Sequence, residues 1–154
     1  MQQTINSVNY LLRDKLLSLV SFLSKATKEF DTISEEIDSS NLKMAMMTMA
    51  VDCKQYAKEI SKELDPVLFT NSTYSDQVWE QIEESLVEEA ILARGSEVAV
   101  FCNNAEMFFN KIYEDVLKEF FPYENLKNLI TYQLFSIRCA FMKMRLLNTI
   151  RFSQ

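Results

Sequence analysis

The sequence predicts an all-α protein built as an antiparallel four-helix bundle. Three observations carry that reading. Apolar residues recur at steps of three and four along most of the chain, the spacing of one face of an α-helix. Glycine occurs once and proline twice in 154 residues, whereas sheet folds need many tight turns and consume both. The stretches between periodic segments are mostly short, as they are between antiparallel neighbours of a bundle. The length suits a single domain over residues 1–154, enough to bury roughly 70% of the unfolded surface.

The first helix is expected over about 4–37. Its stripe is Ile5, Val8, Leu12, Leu16, Leu19, Leu23, Ala26, Phe30, Ile33 and Ile37, an a/d seam lasting over four heptads. Asp38-Ser39-Ser40 ends it, and Ser40 or Asn41 can cap a second helix over 41–64. There the stripe is Leu42, Met46, Met49, Cys53, Tyr56, Ile60 and Leu64. Asp65-Pro66 closes it, because proline disfavours helical geometry in the residue before it. The methionine run from Met44 to Met49 reads as core filling.

Asp65 to Ser75 is rich in turn formers and lacks periodicity. A third helical stretch then follows in two parts, 76–93 on Trp79, Ile82, Leu86, Ala90 and Ala93, and 96–121 on Val98, Cys102, Ala105, Phe109, Ile112 and Val116. One unbroken helix over 76–121 would measure about 69 Å at 1.5 Å per residue and outreach its neighbours. A break or kink is therefore expected near Gly95, with Ser96 as the next cap. Pro122 suits the first turn of a last helix over 122–150, where its missing amide is harmless. That helix carries Leu126, Ile130, Gln133, Ile137, Ala140, Met144 and Leu147 on one face.

Composition removes whole classes of chemistry. There is no histidine, so Ser-His-Asp triads, histidine zinc sites and the Glu-x-x-His di-iron motif are excluded. No Walker loop, GxGxxG or GxSxG occurs. The reading is non-enzymatic, without a cofactor. Sixteen bases against 22 acids, a net charge of −6, argue against a nucleic-acid partner. Cys53, Cys102 and Cys139 form no CxxC pair, and their odd number suits a reducing, cytoplasmic setting. Each sits among apolar residues and is expected to act as a small hydrophobe. Leu16 to Leu23 resembles a signal-peptide core, but the helical stripe runs straight through it.

The acids are concentrated between Ser75 and Glu124, whereas residues 125–154 contain none and carry Lys127, Arg138, Lys143, Arg145 and Arg151. The asymmetry is read as complementary pairing between the third and fourth helices. Counting helical rise from Pro122 puts Glu106 level with Arg138, each about 24 Å from the turn, and Glu114 or Glu119 near Lys127. Glu80, Glu83, Glu84 and Glu88 lie off the apolar stripe and are expected to face solvent. Glu106, in the middle of an apolar helix, is the candidate carboxylate for a metal.

Two segments resemble a bacterial ferritin-like family without a settled activity. Leu19 to Phe30 (LVSFLSKATKEF) is similar to that family's first-helix signature. Phe101 to Leu117 (FCNNAEMFFNKIYEDVL) is similar to its third-helix signature, with Cys102, Glu106, Tyr113, Asp115 and Leu117 on matching positions. Helix order and lengths agree over most of the chain. The resemblance implies a ferritin-like bundle. The family's first-helix acids correspond here to Ser21 and Thr27, and its central glycines to Ala26 and Ala105, so only Glu106 remains of any carboxylate ligand set.

These observations favour a bundle that works by protein association, with a protein partner or with itself as a homo-oligomer. A carboxylate-only metal protein using Glu106 is one alternative. Another is a peripheral binder of anionic surfaces through Arg138, Lys143, Arg145 and Arg151.

Overall fold

The computed structural model describes residues 2–64 and 97–153, with side chains described over 11–64 and 98–150. Among the described residues there are four helices and no strand: α1 (Gln2–Glu35), α2 (Ser40–Ser61), α3 (Glu97–Leu117) and α4 (Glu124–Ser153). The expected helix over 76–93 and the break near Gly95 lie outside the described residues.

The stripes read from sequence are the faces that pack. Leu12, Leu16, Leu19, Leu23, Ala26 and Phe30 of α1 are buried, as are Leu42, Met46, Met49, Cys53 and Ile60 of α2. On α3 the buried set is Phe101, Cys102, Ala105, Phe109, Ile112, Tyr113 and Val116. α4 contributes Leu126, Ile130, Leu134, Ile137, Phe141 and Met144 to the same core. The interior is wider than a strict a/d seam. Phe22, Phe101, Leu134 and Phe141 enter it although they stand off the simple three-four stripe, because a core-facing helix buries an arc of 100° or more.

Phenylalanine rings join three helices at mid-height. Phe22 meets Phe109 edge-on at 4.8 Å between centroids, and Phe30 meets Phe101 at 5.2 Å. Phe141 lies 5.5 Å from Phe109 and 6.0 Å from Phe30. Below them Tyr113 donates its hydroxyl proton to Gln133 Oε1 at 2.8 Å, and Gln133 Nε2 donates to the Tyr56 carbonyl at 3.3 Å. Gln133 stands on the apolar stripe yet is completely buried, and these bonds satisfy both ends of its amide.

Several helix ends differ from the sequence expectation. Ser39, not Ser40 or Asn41, occupies the N-cap of α2, and its side chain makes no capping bond; the Lys43 amide donates to the Ser39 carbonyl instead. α2 stops at Ser61 rather than 64, with Lys62, Glu63 and Leu64 held by turn bonds back to Lys58, Ile60 and Ser61. α3 ends at Leu117 rather than 121, and α4 begins at Glu124 rather than at Pro122. Proline pushes Phe121 out of the helical region, so the chain leaves the helix before Pro122 and resumes after it.

Phe30 touches rings on both α3 and α4, so Phe30→Ala should cost about 3–5 kcal/mol through the cavity it opens. Leu19 is fully buried, and Leu19→Asp should abolish the cooperative transition, since an unpaired buried carboxylate costs as much as the whole margin of stability. Urea melts followed by circular dichroism read both.

Candidate functional site

α4 carries two apolar faces. The inner one packs into the core. The outer one presents Tyr132, Phe135, Met142 and Leu146, each between 57% and 67% exposed. With Cys139, also exposed, they fall at 132, 135, 139, 142 and 146, alternating steps of three and four. That spacing lines them along the helix side opposite the core for about 21 Å. Single exposed apolar residues are ordinary on a protein surface; five in heptad register are a seam. α2 also turns apolar side chains outward, Met44, Met47 and Val51, so the methionine run is only half core: Met46 and Met49 are buried.

The edges of the α4 seam are set by charge. On its α3 side Arg138 donates to Glu114 Oε1 and to Asn110 Oδ1, both at 2.8 Å. One turn pair further on, Arg145 donates to Glu106 Oε1 at 2.5 Å, a half-buried pair. Lys143 is exposed and makes no ion pair among the described residues. The side chain of Arg151 lies outside them. The structure thus places the four candidate cations differently: Arg138 and Arg145 are engaged by α3, and Lys143 is available.

The pairing differs in register from the sequence count. Glu106 meets Arg145, not Arg138, and Glu114 meets Arg138, not Lys127. Glu119 faces α1, where Lys15 bonds it at 2.6 Å and Asp115 at 3.3 Å. The hydrogen bond to Glu119 is the main reason the Lys15 ammonium is held above its ordinary range. The count assumed helical rise up to Pro122. Residues 118–123 are not helical, and non-helical chain can advance ~3.3 Å per residue instead of 1.5 Å, so the two helices slide relative to the count.

Glu106, the candidate metal carboxylate, is therefore the partner of an arginine. Among the described residues no three or more His, Cys, Asp or Glu side chains converge as a metal would require. Glu80, Glu83, Glu84 and Glu88 lie outside those residues. No helix among the described residues is long and apolar enough to cross a membrane. Comparison of the chain with protein-family models, with curated proteins and with solved structures finds no match.

The sequence reading missed the outer seam. Its signal was available: α4 has more apolar residues than one face can hold, and the surplus repeats at heptad spacing. The expectation that all three cysteines are buried is corrected at Cys139, which belongs to this surplus and is exposed, whereas Cys53 and Cys102 are buried.

Two measurements follow from these contacts. A double-mutant cycle on Glu114 and Arg138 should give a coupling of about 0–1 kcal/mol, the range for exposed pairs, while the cycle on Glu106 and Arg138 should give none. The second concerns alkaline pH. Burial pushes the Cys102 thiol up to about 12, with Arg145 opposing and Glu106 reinforcing, and burial also raises Cys53. The Tyr56 hydroxyl is pushed up to about 12, first by burial and then by Asp52. Each folded value lies above the unfolded one of about 8.5 for Cys or about 10 for Tyr. The stabilisation is therefore complete below the unfolded value and is lost as pH rises through the folded one. The urea midpoint should stay flat to about pH 8 and fall between about pH 9 and 12. At about pH 8 iodoacetamide should label Cys139 alone in the native protein; labelling of Cys102 at a comparable rate contradicts its burial.

Proposed function

We propose that this chain is a non-catalytic helical-bundle protein that works by protein association, and that the outer face of α4 is its contact surface. The observation that carries the reading is the seam of Tyr132, Phe135, Met142 and Leu146, exposed in heptad register on a helix whose other face is already buried. A helix with that second seam suits a partner helix laid along it, as in knobs-into-holes packing. The paired state of Arg138 and Arg145 weighs against the alternative, binding of anionic surfaces through α4, because both guanidinium groups already have carboxylate partners. The arginine partner of Glu106 weighs likewise against a carboxylate metal site.

The finer fold belongs to the same proposal: an antiparallel, ferritin-like bundle related to the family that the first and third helices resemble. It is supported by the order of contacts. Lys15, Phe22 and Phe30 of α1 meet Asp115, Phe109 and Phe101 of α3 in reverse sequence, and Arg138 and Arg145 meet Glu114 and Glu106 in reverse sequence too. α1 therefore opposes α3, and α3 opposes α4. With α1 and α2 joined by a short link, α2 and α3 run the same way, as in bundles with one long crossover. A reducing, cytoplasmic location fits the unpaired cysteines.

Sedimentation of the wild-type chain, alone and with partners recovered by affinity capture, tests the function. Association should be lost in Phe135→Glu/Leu146→Glu while the circular dichroism spectrum is unchanged, since both side chains are exposed. A strict monomer with no captured partner, or association indifferent to the two substitutions, refutes it.

A further inference from the structure

A second surface, independent of α4, lies on the outside of the α1–α2 pair. A groove of about 610 Å³ runs between the two helices, floored in part by the buried Val20 and Ala57 and rimmed by Lys28, Lys54, Lys58 and Lys62. Among the described residues, no lining residue is acidic. All four lysines are exposed and none makes an ion pair among the described residues. Two of the three lining hydroxyls are already used: Thr27 donates to the Leu23 carbonyl and Ser61 to the Ala57 carbonyl, with Ser24 the third. What the groove offers is therefore an apolar floor between cationic edges. Placement near the end of α2 accounts for Lys58 and Lys62, where the helix dipole favours cations. It does not account for Lys54, further inside the helix, nor for Lys28 across the groove on α1.

We infer that this groove docks an acidic amphipathic helix of a partner protein. Charge spacing selects that occupant. Lys54, Lys58 and Lys62 stand at i, i+4 and i+8, about 6 Å apart along the groove, which matches carboxylates at i, i+4 and i+8 on a helix laid alongside. A single-headed amphiphile such as a fatty carboxylate brings one charge at one end and would leave most of the row unpaired. A helix brings an apolar stripe for the floor and a row of acids for the rim, the groove mode of helix recognition.

The test uses the full chain and a fluorescent synthetic amphipathic helix with a leucine stripe flanked by a row of glutamates at i, i+4 and i+8, read by anisotropy. Saturable binding is expected, weakening with salt, and falling at least about tenfold in Lys54→Glu/Lys58→Glu. The charge-swapped peptide, with lysine for glutamate, should bind the wild type at least about tenfold more weakly and recover on that variant. Phe135→Glu/Leu146→Glu should leave peptide binding unchanged, which separates this groove from the α4 seam. Absence of saturable binding, or equal affinity for both peptides, overturns the inference. So does displacement of the peptide by laurate below its micelle concentration, which assigns the groove to a fatty carboxylate. Tighter binding by Glu80→Lys/Glu84→Lys/Glu88→Lys would show that the chain's own acids compete for the site, and overturns the assignment to a partner protein.

Discussion

The phenylalanine cluster fixes how three of the four described helices stand against one another. Phe22 and Phe30 come from α1, Phe101 and Phe109 from α3 and Phe141 from α4, and their centroids lie 4.8 to 6.3 Å apart. Edge-to-face rings prefer defined offsets, each pair adding about 0.5–1.5 kcal/mol beyond its buried area. A helix that slid by one turn along its axis would lose several such contacts together. The Tyr113–Gln133 bond then has a geometry to form in, and its 2.8 Å length reinforces the same register in an apolar setting where an unmade bond is costly. The outer ion pairs follow rather than lead: Glu114–Arg138 is about half exposed on both sides, too screened to set the packing by itself.

With that register set, α4 has more apolar surface than the other described helices cover. Its inner face is completed by Ile130, Ile137, Phe141 and Met144, each at most 1% exposed. The side chains on its back pack against none of the other described helices and expose large apolar area. Solubility would favour polar residues there, and the flanking sequence shows that polar residues fit: Thr131, Ser136 and Lys143 stand beside the seam. The seam is thus a feature that the fold does not require and that association would use.

Much of this was legible in the sequence. The α1 stripe from Leu12 to Phe30 is buried throughout and the α2 stripe from Leu42 to Ile60 is buried apart from half-buried Tyr56, because a long helix with one apolar face leaves little freedom in which side turns inward. Legibility failed in three places, each for a physical reason. Phe22 and Phe141 were passed over because an a/d template is narrower than the arc a bundle helix buries. The α3–α4 register was miscounted because spacing along a helix is regular only while the chain is helical, and residues 118–123 are not. The outer seam of α4 was overlooked because one stripe already satisfied the bundle, and a second stripe in the same segment looks like background until the burial of Ile130 and the exposure of Phe135 are set side by side.

Charge completes the separation of roles. The basic C-terminal segment is read as a partner for the acidic third helix, and its two arginines within the described side chains are held by Glu106 and Glu114, while Asp115 of α3 and Glu119 just past its end are met by Lys15. The third and fourth helices neutralise each other along their shared edge. Four lysines without carboxylates among the described residues gather elsewhere, Lys28 on α1, Lys54 and Lys58 on α2 and Lys62 just past its end. In a chain of net charge −6, a groove edged by four cations with no acid among its described lining residues is an asymmetry that the stability of the bundle does not need. Unpaired lysines beside an apolar floor repel one another and are screened only by solvent, so a carboxylate-bearing helix would relieve that repulsion and cover the floor at once. The two outer surfaces would then select partners by different means, α4 by apolar register and the α1–α2 groove by charge.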